Sequence, residues 1–270
     1  MRALSLKGFI AGANPRYLSA TKKQREDRMG ETITLTAADG HEFAAYRAGP
    51  EGNAKGAVVV IQEVFGVNAH IRDVTDGYAG QGYLSIAPAL FDRFERGVEL
   101  GYTDEDIVVG REYKAQGNEN LDNVMADVAA AHANVAGAGQ RNNKVGITGY
   151  CWGGVVVWAA ACRLDFDAAA CYYGGGIIDL KDEMPKCPTI LHFGKQDASI
   201  PMEDVDAISA AHHPDFRSQC SSYAHGRSFY ICLQLCFRTF GLHVFGGIMF
   251  SCVLFVFSIF SICFCLGNFI

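Results

Sequence analysis

Residues 149–154 read Gly149-Tyr150-Cys151-Trp152-Gly153-Gly154. They join a short β-type run, residues 144–148, to an apolar helical stretch, residues 152–162. A side chain held in the sharp turn between a strand and a helix sits on strained backbone, so its neighbours must be small. Gly149 and Gly153 supply that room, and Gly154 lets the helix approach the sheet. The group so presented is the thiol of Cys151. It stands at a helix N-terminus, where the dipole favours a thiolate. The N–H of Trp152 can donate to an oxyanion formed nearby. A plainer reading is also open, a glycine-rich connection with a passive cysteine.

Outward from this turn, strand and helix patterns alternate, which is the signature of a mostly parallel sheet with helices on both faces. Residues 33–37 and 42–48 read as an opening hairpin turned at Asp39-Gly40. Residues 56–62 are a continuous β-branched run, as expected of a strand buried on both sides. A helix is predicted over 69–81, a strand over 83–87 and helices over 104–114 and 121–135. Strands follow at 168–173 and 189–193, a helix at 202–213 and a weak strand at 217–223. The spacing places the carboxyl ends of several strands, and hence the cysteine turn, along one edge of the sheet.

A nucleophile in such a turn works with an acid and then a histidine, in that chain order. Asp197, in Gly194-Lys195-Gln196-Asp197, follows a buried strand and fits the acid, with a turn or helix-capping aspartate as the lesser alternative. His225 is the only histidine between the next strand and the apolar end of the chain, so it is the candidate base. His212 and His213 close a helix before Pro214, and His192 lies inside a strand as a core histidine would.

Composition narrows the class. The chain of 270 residues with half its residues hydrophobic can bury a full α/β core. A net charge of -6 and no basic stripe argue against nucleic acid as a partner. The ten cysteines show neither a CxxC pair nor zinc spacing, so buried or free thiols in a reducing compartment are expected, with no metal and no cofactor. Cys162, Cys171 and Cys187 fit buried positions.

Both ends differ from the middle. Residues 1–28 are basic, with no acid before Glu26, and resemble either a transit peptide or an upstream extension of the reading frame. They are expected to lie outside the fold. After Arg238 no Asp, Glu, Lys or Arg occurs, and residues 242–266 are nearly all apolar, long enough to cross a bilayer. An α/β domain of this kind should close with an amphipathic helix. The expected division is therefore an extension over 1–28, a domain over 29–226 and an apolar tail over 227–270 in place of the C-terminal helix. The tail reads as a membrane anchor or as the product of a changed reading frame near Arg217. The corresponding expectations are a cytoplasmic monomeric core, or a membrane-anchored protein.

Four separated motifs carry a family resemblance across about residues 30–225. They are Gln62-Glu63-Val64-Phe65-Gly66-Val67-Asn68, Pro88-Ala89-Leu90-Phe91-Asp92-Arg93, the cysteine turn, and Gly194-Lys195-Gln196-Asp197. The chain resembles the dienelactone hydrolases (carboxymethylenebutenolidases), which have the α/β-hydrolase fold. The resemblance implies Cys151 as nucleophile, Asp197 as orienting acid and His225 as base. It implies that Glu63 contacts the cysteine in the resting enzyme and moves when substrate binds. The N–H groups of Val64 and Trp152 correspond to the oxyanion hole. Arg93 corresponds to an arginine that binds a substrate carboxylate, although beside Glu95 and Arg96 charge alone would make it a solvated surface residue. The chain departs from the family at Tyr223-Ala224-His225-Gly226-Arg227-Ser228-Phe229, where the family has a Gly-His-Gly-Phe-like segment and then an arginine and a long helix. The implied activity is hydrolysis of a small, carboxylate-bearing lactone. The alternatives are a general small-ester or thioester hydrolase, and a truncated inactive domain tethered by its tail.

Overall fold

A computed structural model describes residues 30–195 and 197–212, together with the backbone of strands at 217–219 and 230–235. Among the described residues the sheet has nine strands: β1 (Glu31–Thr36), β2 (Glu42–Ala48), β3 (Ala57–Ile61), β4 (Leu84–Pro88), β5 (Val145–Tyr150), β6 (Ala168–Tyr172), β7 (Thr189–Gly194), β8 (Arg217–Gln219) and β9 (Tyr230–Leu235). Their spatial order is β1-β2-β4-β3-β5-β6-β7-β9-β8. The five from β4 to β7 run parallel, while β1, β2 and β9 pair antiparallel with their neighbours. The helices are α1 (Ala69–Gly80), α2 (Asp104–Glu119), α3 (Leu121–Val135), α4 (Trp152–Arg163) and α5 (Met202–Ala211).

Every residue of β3, β5 and β6 is buried, which is why their sequences are unbroken apolar or small runs rather than alternating ones. The core divides between the two faces of the sheet. On one face Ile71, Tyr78 and Ala79 of α1 pack on Val58, Val60, Tyr150 and Tyr172. On the other, α3 and α4 bury Val128, Val135, Val156 and Trp158 against Val59, Ile61 and Ile147. This is the expected α/β-hydrolase arrangement, a mixed sheet with helices on both sides.

Local signals set the helix ends. Asn68 caps α1 by accepting from the Ile71 N–H at 3.2 Å. Thr103 and Asp106 form a reciprocal capping box at the start of α2. That helix runs five residues past the predicted end at 114. Gly117, a helix breaker by propensity, stays helical because it is buried against Trp152. Tyr230–Leu235, which the sequence assigns to the tail, pairs with β7 between β7 and β8. The remainder of the tail, including all of residues 242–266, and the extension over 1–28 lie outside the described residues. Among the described residues no helix is long and apolar enough to cross a membrane.

Candidate active site

Strand register assembles the site. Ile61 of β3 lies beside Gly149 of β5, so Glu63 and Cys151 leave adjacent strands at the same sheet edge. Tyr172 of β6 lies beside both Tyr150 and His192, which brings Tyr173 and the Asp197 loop to that edge as well. Cys151 itself has φ 57° and ψ −120°, a left-handed conformation that few non-glycine residues adopt. Its N–H donates to the Tyr172 carbonyl at 3.0 Å, and its carbonyl accepts from Gly154 at 3.0 Å. These bonds hold the turn against the strain, a cost commonly met at functional sites. A Cβ on Gly153 would stand 2.4 Å from the Gln62 carbonyl oxygen, and one on Gly154 2.7 Å from that of Tyr172. The spacing of glycines around the cysteine thus follows from how closely α4 approaches β3 and β6.

Glu63 is buried beside the thiol, and both its carboxylate oxygens are taken up. Oε1 accepts from the Tyr173 hydroxyl and Oε2 from the Tyr102 hydroxyl, each at 3.0 Å. Tyr173 also has a positive φ of 42°, and its N–H donates to the His192 carbonyl at 2.8 Å. Burial, with the Glu63 and Cys151 charges behind it, pushes the Tyr173 hydroxyl well above the usual tyrosine range, so it serves as a proton donor to Glu63. Tyr102 is pushed up by burial and by the Glu63 charge, and its ring packs tilted against Phe65 with centroids 4.6 Å apart.

The thiol is not the ready thiolate that its helix-terminal position alone predicts. Burial first, and then the Glu63 carboxylate, push the Cys151 thiol upward, with a smaller push from Asp197. The Trp152 N–H and Lys114 act in the opposite direction and are outweighed. The resting residue is therefore a thiol near neutral pH. Glu63→Gln removes the second of the upward causes, so the thiolate fraction at fixed pH should rise. Iodoacetamide should then alkylate Cys151 faster at pH 8 in the variant than in the wild type, as read by peptide mass analysis. An unchanged or slower rate would show that the carboxylate does not act on the sulfur.

Asp197 sits in the loop after β7, half-buried, within electrostatic reach of Cys151. Its Oδ1 accepts from the Ser199 N–H at 2.9 Å, and its N–H donates to Gly194 at 3.1 Å. His225 lies outside the described residues. His192 stacks flat on Tyr172 with ring centroids 4.4 Å apart, and burial lowers it to about 4, so it stays neutral within the core. The oxyanion-hole candidates are both buried. Val64 follows Glu63, and Trp152 is the first residue of α4, whose N–H has no partner within the helix.

Arg93 is placed otherwise than expected. Its Nε and one terminal nitrogen grip both oxygens of Asp127 at 2.7 and 2.8 Å, and the other terminal nitrogen holds Asp39 at 2.8 Å. Asp127 is fully buried and the Arg93 side chain only 9 % exposed. This corrects the expectation of a solvated surface group: the guanidinium is largely buried and paired with two carboxylates. The cause is a buried acid thirty-four positions away in sequence, which nothing local to Arg93 reveals. Tyr102, Tyr173 and Lys114 were not singled out by the sequence. A hydroxyl-bearing aromatic immediately after parallel strand β6 was the one available signal for Tyr173.

Comparison with known proteins identifies the family. The model of the dienelactone hydrolase family matches residues 43–229. A carboxymethylenebutenolidase of Pseudomonas putida is 33 % identical over 185 residues, covering 67 % of this chain and 77 % of its own. A provisionally named carboxymethylenebutenolidase of Synechocystis sp. is 38 % identical over 185 residues, 63 % of this chain and 73 % of its own. A crystal structure of a provisionally assigned dienelactone hydrolase from Klebsiella pneumoniae superposes with a TM-score of 0.54 at 29 % identity, over 67 % of this chain and 80 % of that one. The chain belongs to the dienelactone hydrolase family, with its α/β-hydrolase fold, and is a hydrolase.

Proposed function

We propose that this hydrolase opens a small lactone or ester by covalent catalysis at Cys151. The observation that carries the reading is the left-handed Cys151 at the head of α4, facing a buried carboxylate at the carboxyl edge of the sheet. In this reading a base takes the thiol proton once substrate is bound, and Sγ attacks the carbonyl carbon. The N–H groups of Val64 and Trp152 hold the tetrahedral oxygen, each such donor being worth about 3–4 kcal/mol in the barrier. The ring C–O bond then breaks, the departing oxygen is protonated as an enol, and water cleaves the thioester to regenerate the thiol. His225, oriented by Asp197, manages the protons. Glu63, held by two tyrosine hydroxyls, keeps the resting sulfur protonated and protected from adventitious oxidation.

No residue with metal chemistry is needed for these steps. Arg93, paired with Asp127 and Asp39, would bind a substrate carboxylate by exchanging the more exposed Asp39 for it. The test is turnover of a five-membered enol lactone and of simple phenyl esters by the full chain, followed by absorbance. Lactone hydrolysis exceeding that of the esters supports the reading. Turnover of esters alone would favour the general esterase, and turnover of neither would favour the inactive tethered domain.

A further inference from the structure

A strap of chain between the short 3-10 turn at Leu90–Arg93 and helix α2 crosses the segment that carries Glu63 and Val64. In the strap, the Leu100 N–H donates to the Phe65 carbonyl at 2.9 Å, and Glu99 forms an antiparallel bridge with Gly66. Gly66 has a positive φ of 77°, and a Cβ there would lie 1.8 Å from the Val98 carbonyl oxygen, so only glycine lets the strap pass. Side chains fasten it further. Asn68, the cap of α1, donates from Nδ2 to the Leu100 carbonyl at 3.1 Å. Arg72 of α1 donates to Glu99 and to the Val67 carbonyl, each at 2.8 Å. At its far end the strap runs into Thr103, whose capping box with Asp106 starts α2.

These bonds carry Tyr102 to the site. Its ring packs on Phe65, and its hydroxyl donates to Glu63 Oε2 at 3.0 Å. Tyr173, which holds the other oxygen, is delivered by the sheet itself, one residue beyond β6. Tyr102 has no strand behind it and reaches the carboxylate only through the strap. A carboxylate held at one oxygen can turn about that bond, whereas one held at both is fixed in place. The position of this carboxylate matters to the sulfur: after burial, the Glu63 charge is the largest cause raising the Cys151 thiol.

We propose that Tyr102 is a positioning residue for Cys151: borne on the strap, it holds Glu63 against the sulfur and keeps the resting residue in its unreactive thiol form. The proposal rests on Cys151 being the reacting group, and it names what sets that group's resting state. Without the Tyr102 hydroxyl the carboxylate either turns toward water or takes up a proton. Both remove negative charge from beside the thiol and make the thiolate easier to form.

Alkylation of Cys151 by iodoacetamide, followed by peptide mass analysis of the full chain, tests this without any assumption about turnover. Tyr102→Phe keeps the ring on Phe65 and removes only the hydroxyl. It should raise the alkylation rate at pH 8 by about five-fold or more, as expected when one hydrogen bond to a charged acceptor is lost. The midpoint of the rate against pH should move down at the same time. Added to Glu63→Gln, the same substitution should change the rate by less than about two-fold, because a residue that acts through the carboxylate then has nothing to act on. A rate unmoved by Tyr102→Phe in the otherwise wild-type chain overturns the proposal. So does an equal rise in both backgrounds, which would mark a general loosening of the site. The expected pattern in a protein without lactone turnover upholds the role of Tyr102 and overturns the lactonase reading instead.

Discussion

Cys151→Ala should lower lactone turnover by about 10⁴-fold or more, while Cys151→Ser should retain a weak residual rate. The size of the loss follows from the loss of the covalent route itself. Removing a nucleophile leaves only the acceleration supplied by binding and the oxyanion hole. The serine variant keeps an oxygen in the same strained turn. That hydroxyl is much harder to ionise than a thiol, and the adjacent Glu63 carboxylate is already bonded to Tyr102 and Tyr173. The alanine variant should remain folded, because the turn is held by backbone bonds from Cys151 to Tyr172 and from Gly154 to Cys151 rather than by the sulfur. Equal turnover in the alanine variant and the wild type would make the turn purely structural.

Arg93→Ala should cost about 3–5 kcal/mol of folding stability, far more than a surface arginine, because it leaves a fully buried carboxylate unpaired. Asp127 already feels its burial, which pushes its carboxyl upward against the lowering effect of Arg93. Without the guanidinium the acid must either remain charged in the interior or take up a proton. The network also ties the β1–β2 turn at Asp39 to α3 through Arg93, so both elements should loosen together. Replacing both members of the buried pair, as in Arg93→Leu with Asp127→Leu, should recover much of the loss. Chemical denaturation of the three proteins measures it. A change below about 1 kcal/mol in Arg93→Ala would show the pair to be solvent-screened in solution.

The two outcomes for Cys151 and Arg93 mark where sequence is informative. The cysteine turn was legible because its constraints are local. Glycines at fixed offsets, a buried strand before and a helix after are all contained within residues 144–162. The same holds for β3 and β7, whose apolar runs and following motifs place Glu63 and Asp197 at the sheet edge. What sequence could not supply was pairing at a distance. Tyr173 reaches Glu63 across 110 positions, and Arg93 reaches Asp127 and Asp39 across 34 and 54. Such partners are chosen by the folded backbone, and the residue types alone are compatible with many others. Gly117 shows the same limit in a helix, since its low propensity marks an end unless the facing Trp152 is known.

The helix-terminal position of Cys151 is a further case. The dipole and the Trp152 N–H favour the thiolate as the turn implies, yet burial and Glu63 outweigh them. Sequence shows the favourable half of that balance, because the cost of burial is a property of the packed site. In the proposed mechanism a sulfur kept protonated at rest reacts only once a bound substrate presents its carbonyl with the base in line.

The central claim is that Cys151 Sγ bonds covalently to the substrate's acyl carbon. Rapid acid quench of the full chain during lactone turnover, followed by intact and peptide mass analysis, tests it directly. Ring opening expels no fragment, so the account predicts an increase equal to the whole lactone mass on the peptide carrying Cys151, decaying as product accumulates and absent from Cys151→Ala. An adduct on a different residue, or full turnover with Cys151 replaced by alanine, would contradict it.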